Sequence, residues 1–142
     1  MKTTAHQVRA LRITHEEATT CTIDTTDTVT ALQRAIGCNN FDVVSLEDDI
    51  DLFVDDEGAI NGSPLNLALT IVAHSLGTPA VLFGNAVALR CDPDTGDSIS
   101  LTVAQLRRIT DAIETKPGPD LIARLAISLA PLPAVVEFLN RL

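Results

Sequence analysis

The apolar residues of this chain come in short pieces, none longer than Ala80-Val81-Leu82-Phe83, and turn residues or helix caps bound most of them. Short pieces with changing period force the chain to assemble its core from several small strands and helices, since no single element carries enough apolar surface alone. The chain has 142 residues and 46% hydrophobic content, which suits one domain with a real core and argues against disorder. Nothing approaches the ~20 apolar residues needed to cross a bilayer. The start, Met1-Lys2-Thr3-Thr4-Ala5-His6-Gln7, lacks the apolar region of a signal peptide. The expectation is a cytoplasmic protein that makes no membrane contact. Three cysteines, Cys21, Cys38 and Cys91, form no C-x-x-C pair and suit reduced thiols buried as small apolar side chains better than a disulfide framework or a zinc site.

The pieces can be read in order. Residues 8–14 and 19–24 alternate polar and apolar and predict two strands joined at His15-Glu16-Glu17-Ala18. Asp27 predicts a helix N-cap, with Val29, Leu32 and Ile36 at helical spacing and Gly37 at the stop. Phe41–Leu46 and Ile50–Val54 predict a hairpin whose turn holds the acids between them. Asp55-Asp56-Glu57-Gly58 and Asn61-Gly62 are turn chemistry. Ser63-Pro64 predicts a helix start, with a stripe of Leu65, Ala68, Leu69, Val72 and Leu76 and a stop at Gly77. Ala80–Leu89 predicts a buried strand interrupted by Gly84-Asn85. After the loop Asp92–Asp97 the pattern turns helical: Leu106, Ile109 and Ile113 share a face, and further helices are expected over Asp120–Leu129 and Ala134–Leu142. The fold class is therefore α+β, a small mixed or antiparallel sheet packed by two helices and followed by a C-terminal helical tail. Residues 1–98 make the body, and 99–142 a helical extension packed on the body or on a partner subunit.

Charge follows the turns. The net charge is −9, yet residues 40–106 hold eleven acids against Arg90 alone, while both ends are nearly neutral. An acidic middle with no Trp and no Tyr lacks the basic footprint and stacking platform of a nucleic-acid binder, so no direct nucleic-acid binding is expected.

Several of these pieces resemble a known family. They are Ile50-Asp51-Leu52-Phe53-Val54-Asp55-Asp56-Glu57-Gly58, then Asn61-Gly62-Ser63-Pro64-Leu65-Asn66, then Leu82-Phe83-Gly84-Asn85-Ala86-Val87-Ala88-Leu89. Together they resemble the family catalogued as domain of unknown function 3846 over roughly residues 28–90, with the N-terminal strands and the helical tail outside the match. The resemblance implies a setting in bacterial phages and mobile elements, and no mechanism.

Two sets of residues are candidates for binding. Ser63, Asn66 and Asn85 are expected to line a small polar pocket, with Gly84 permitting close backbone approach; free N–H groups at the helix start would favour an anion there. The carboxylates Asp48, Asp49, Asp55, Asp56 and Glu57, within a run that also holds Glu47 and Asp51, form the candidate partner surface. An EF-hand is excluded because Phe53 and Pro64 fall where its ligands belong, and Asp92–Asp97 also departs from that spacing. No metal or cofactor is expected. His74 is expected to be partly exposed, with no partner to make it a general base. The apolar tail 119–142 is a candidate homodimer surface. The reading that results is a small non-catalytic binding protein that sequesters a small polar or anionic ligand or blocks a host factor. The alternatives are an acidic nucleic-acid mimic and a small-molecule enzyme using Ser63, His74 or the Asp cluster.

Overall fold

A computed structural model describes residues 7–57, 63, 65–114 and 118–128. The expectations for Gly58, Asn61-Gly62, Pro64 and the helix Ala134–Leu142 lie outside the described residues. Among the described residues, six strands and four helices run in the order β1 (Gln7–Ile13), β2 (Ala18–Asp24), α1 (Thr28–Ile36), β3 (Phe41–Ser45), β4 (Ile50–Asp55), α2 (Leu67–Ser75), β5 (Ala86–Cys91), β6 (Ser98–Ile99), α3 (Val103–Glu114) and α4 (Pro119–Ser128). The sheet order is β2-β1-β5-β4-β3, every pairing is antiparallel, and β6 adds to the end of β5. The fold is α+β, as the alternation of short apolar pieces predicts.

The sheet is covered on both faces. On one, α1 lays Leu32 and Ile36 over Ala10, Ile23, Phe53, Val87 and Leu89. On the other, α2 and α3 set Leu69, Val72 and Ile109 against Leu11, Ile13, Leu52, Ala86 and Ala88. Burial on both sides explains why central β5 begins Ala-Val-Ala-Leu with no polar alternation. Its small residues Ala86 and Ala88 let α2 lie close to the sheet. α4 then packs Leu125 against Ile71 on the outer side of α2. Because α2 lies between the sheet and α4, six of its consecutive residues, Leu69 to His74, are buried and its apolar character runs all round.

Local signals explain the ends. Asp27 caps α1 by accepting from the Thr30 backbone N–H and hydroxyl at 3.3 and 2.7 Å. Gly37 closes the helix in a left-handed conformation, φ 80°, and returns its N–H to Gln33 O. Thr102 and Gln105 form a capping box at α3: Gln105 N donates to Thr102 Oγ1 at 3.1 Å, and Thr102 N to Gln105 Oε1 at 2.9 Å.

Four expectations need correction. Val29 is 55% exposed, because α1 turns Leu32 and Ile36, with Ala31 and Ala35 beside them, toward the sheet. The second helix starts at Asn66 and not at Ser63, because Leu65 bridges to Phe83 and Asn66 N bonds Leu82 O, which holds this stretch extended. Leu65 therefore lies off the helix. The strand expected over Ala80–Leu89 begins only at Ala86, since Leu82 N bonds the Thr70 hydroxyl of α2 before the chain joins the sheet. His74 is 2% exposed, enclosed where α2 is covered on every side.

Candidate functional site

Antiparallel pairing brings the end of β4 beside the start of β5, with Val54 opposite Ala86. The polar turns that follow β4 and precede β5 therefore meet at one end of the sheet. Asp55 and Glu57 stand there beside the C-terminus of α1. With Thr30, Gln33, Arg34, Gly37, Cys38 and Asn39 they line a cavity of about 410 Å³. Asp55 Oδ1 accepts from the Glu57 N–H at 2.9 Å, which folds the turn back on the strand. Gln33 Nε2 donates to Asn39 O at 2.7 Å and fixes the opposite wall. Burial pushes the Cys38 thiol pKa up, and the Asp55 charge adds to that. A second hollow of about 220 Å³ lies across β4 from the first, lined by Asp42, Val54, Asp55, Asp56 and Phe83 among others.

The structure divides the four residues expected to form a polar pocket. Asn66 is fully buried and its amide is committed: Nδ2 donates to Gly84 O at 2.8 Å and Ile13 O at 3.3 Å, and Oδ1 accepts from Leu69 N at 3.0 Å. It caps α2 and ties that helix to β1 and to the approach to β5. Asn85 turns the other way, donating at 3.2 Å to Ile36 O at the end of α1. The two amides thus serve helices on opposite faces of the sheet and do not converge. Ser63 and Gly84 do meet. Gly84 holds φ 79°, and a Cβ there would stand 3.4 Å from the Ser63 Cβ and hydroxyl and 3.8 Å from the Asp55 Cβ. A Cβ at these distances would make ordinary van der Waals contacts, so it is the positive φ that favours glycine here. Arg12 helps Asn85 close α1, its Nε donating to Ala35 O at 2.7 Å.

The acidic run is not one patch. β4 carries Asp49 and Asp55 at opposite ends, roughly 17–20 Å apart at the usual rise. At the near end, Glu47-Asp48-Asp49 is built into the body. Asp48 and Asp49 hold φ 63° and 56°, the pair of left-handed residues a tight hairpin turn demands and Asp tolerates. Their backbone carbonyls accept from Gln105 Nε2 and Cys91 N, both at 2.7 Å. Glu47 pairs with Arg108 at 2.7 Å, and Arg108 lies 3.8 Å from Asp48. At the far end, Asp55, Asp56 and Glu57 belong to the cavity region.

His74 lies inside the protein, its Nδ1 2.9 Å from Thr70 O, away from the cavity lining. The carboxylates of Asp92–Asp97 serve their own turn, as where Asp92 Oδ1 accepts from Asp94 N at 2.9 Å. Among the described residues no three His, Cys, Asp or Glu side chains are grouped as metal ligands would be. None of the described helices is long and apolar enough to cross a membrane. Sequence reasoning missed Thr30, Gln33, Arg34, Cys38 and Asn39. The available signal was Gly37, which stops α1 and turns the chain toward β3, so that the helix end must face the end of the neighbouring strand.

Fold and site define a class: a small α+β domain whose five-stranded antiparallel core sheet carries helices on both faces and a polar cavity at one end. The chain belongs to the family described as Domain of unknown function (DUF3846), whose match spans residues 8–114. That span runs from β1 through α3, so the N-terminal strands and α3 are inside the family unit, and the narrower limits 28–90 are corrected. No curated protein and no solved structure matches the chain.

Proposed function

We propose that this protein is a small binding protein whose ligand sits at the end of the sheet where β4, β5 and the C-terminus of α1 meet. One observation carries the reading. Asp55 and Glu57 from the turn after β4 and the C-terminal part of α1 come from separate parts of the sequence, and together they line a cavity of about 410 Å³. That volume lies in the range of small-molecule sites. Two carboxylates and a helix C-terminus give the cavity a negative bias, with Arg34 as its counterweight. The ligand class this supports is a small polar molecule carrying an amine or guanidinium, with room for an acid group near Arg34. A purely anionic ligand is less well matched.

The setting in phages and mobile elements that the sequence resemblance implies would suit a role in sequestering a host metabolite or blocking a host factor. Mimicry of a nucleic-acid phosphate row has little support, because the carboxylates are split between two ends of β4 and Glu47 is neutralised by Arg108. The test is native mass spectrometry of the full chain purified without denaturation from several bacterial hosts, beside an Asp55→Asn/Glu57→Gln variant. A bound small cation or zwitterion present on the parent and lost from a variant of equal thermal stability is the expected result. Parent protein that emerges free of ligand from every host, or equal loading of both proteins, overturns the reading.

A further inference from the structure

On the sheet face opposite α1, the helices α2 and α3 bury Leu11 and Ile13 and reach Ala18 of β2, but they leave Thr20 and Thr22 exposed. Arg9 shares that face with Leu11 by alternation along β1, and it pairs across to Thr22 as Leu11 pairs to Thr20. The chain entering α3 is tied to the same strip: Leu101 N donates to Arg9 O at 3.0 Å, and Arg9 N to Ser100 Oγ at 2.8 Å. Arg9, Thr20, Thr22 and Ser100 thus line a cavity of about 660 Å³ together with Val103 and Leu106 of α3.

The charge of this cavity runs against that of the chain. Its lining holds one guanidinium, three hydroxyls and the Gln7 amide but no carboxylate, in a protein of net charge −9. Among the described residues no acid pairs with Arg9. Asp24, one pair further along β2 from Thr22, accepts from Thr26 N at 2.9 Å and is not part of the lining. Ser100 Oγ is an acceptor for Arg9 N and keeps its own hydrogen to donate, and the Thr20 and Thr22 hydroxyls have no partner among the described residues. A guanidinium fork among spare hydroxyl donors suits an oxyanion. Val103, an apolar residue left 63% exposed, and Leu106 suit an apolar body attached to it. The volume lies in the range of small-molecule sites.

We propose that this cavity is a second binding site, specific for a small organic anion. Arg9 and the hydroxyls of Thr20, Thr22 and Ser100 hold its carboxylate or phosphate, and Val103 and Leu106 contact its apolar body. The site lies on the opposite face of the sheet from α1 and prefers the opposite charge to the cavity beside Asp55, so it stands whether or not that cavity binds a ligand.

Amide NMR of the labelled full chain reads the binding, with octanoate and phenyl phosphate as probes and inorganic phosphate and octylammonium as controls. Saturable shifts at Arg9, Thr20, Thr22 and Ser100 are expected with at least one probe, and the tighter of the two names the head group. Arg9 is exposed, so Arg9→Gln is expected to keep the parent's urea midpoint while weakening the bound probe about tenfold. Val103→Ser is expected to weaken octanoate about fivefold and to leave inorganic phosphate unchanged. Absence of saturable shifts at these residues with both probes at millimolar concentration overturns the proposal. So does undiminished binding by a folded Arg9→Gln protein, or octylammonium binding as tightly as octanoate, which would reveal an apolar patch without charge selection. Shifts that follow protein concentration instead of probe concentration would show a second copy as the occupant and overturn it equally.

Discussion

The Gln105 side-chain amide donates to the Asp48 carbonyl at 2.7 Å while its oxygen accepts from the Thr102 N–H at 2.9 Å. One buried side chain thus starts α3 and holds the acidic β3–β4 turn against it. Gln105→Ala removes half of the capping box and leaves the Asp48 carbonyl without this donor. The expected loss is about 2 kcal/mol of unfolding free energy, read by urea titration. Gln105→Glu keeps the acceptor for Thr102 but sets a carboxylate against a carbonyl in an acidic turn. It is expected to destabilise more at neutral pH than at pH values where the new carboxyl is protonated.

Asn66 is the corresponding joint on the other side of the molecule. Its amide caps α2 and fills the acceptors Ile13 O and Gly84 O. Asn66→Ala strands two buried carbonyls and one helix N–H, and about 3 kcal/mol of stability is expected to go with them. Asn66→Asp retains the cap and loses only the donors. An equal loss in both variants, by thermal or urea melts, would mean that the amide donors carry the effect and the cap does not.

The backbone at Asp49, φ 56°, gives a sharper discrimination. Glycine adopts that conformation freely but loses more entropy on folding, and Asp already tolerates it. Asp49→Gly is therefore expected to stay within about 0.5 kcal/mol of the parent. Asp49→Val puts a β-branched residue where φ is positive and is expected to cost about 2 kcal/mol. Both variants remove the same charge, so a difference between them in urea midpoint reads conformation and not electrostatics.

These joints show how far the sequence reaches. Most strands, the α1 cap at Asp27 and the stop at Gly37 are local matters of period and capping, and they were legible. The extended stretch before Asn66 was not, because Ser63-Pro64 has the local form of a helix start while a non-local bridge from Leu65 to Phe83 decides the outcome. The burial of His74 depends on α4 covering a helix already packed on the sheet, and no local pattern carries that. For the site, Asp55 and Glu57 could be named from turn chemistry, though as a partner surface and not as the wall of a cavity. Thr30, Gln33 and Arg34 could not, since their place beside β4 follows from which face of the sheet α1 covers. The acidic run looked like one patch because its members are close in sequence, while a strand between them sets the two halves at opposite ends.

The Asp27 cap makes acid stability predictable in sign. Hydrogen bonds from the Thr30 hydroxyl and backbone N–H hold its carboxyl below the usual range. A group with a lowered folded pKa contributes stability above its unfolded pKa and loses it as pH falls through the folded value. The difference in thermal midpoint between the parent and Asp27→Ala is therefore expected to be full at neutral pH and to narrow steadily below the carboxylate range. A difference unchanged down to strongly acidic pH would show that the charged form is not what the cap uses.

The cavity carries its own reporter. Burial raises the Cys38 pKa, and the neighbouring Asp55 carboxylate raises it further because a thiolate there would face a like charge. Only the thiolate reacts with an alkylating reagent, so the parent Cys38 is expected to react more slowly at pH 8 than a free thiol. Asp55→Asn removes the opposing charge, lowers the pKa toward its ordinary value and is expected to speed alkylation at fixed pH. A Cys21→Ser/Cys91→Ser background makes Cys38 the sole reacting residue, and mass spectrometry reads the rate. The pH at half-maximal rate is expected to fall in the Asp55→Asn protein while the plateau at high pH stays the same. A higher plateau with an unmoved midpoint would mean that the substitution opened the cavity and that Asp55 does not set its potential. A small cation that binds beside Asp55 is expected to act in the same direction as Asp55→Asn, because it too offsets the carboxylate's charge. Alkylation kinetics thus give a direct assay for ligands of this site, one that depends on charge at the cavity rather than on any assumed reaction.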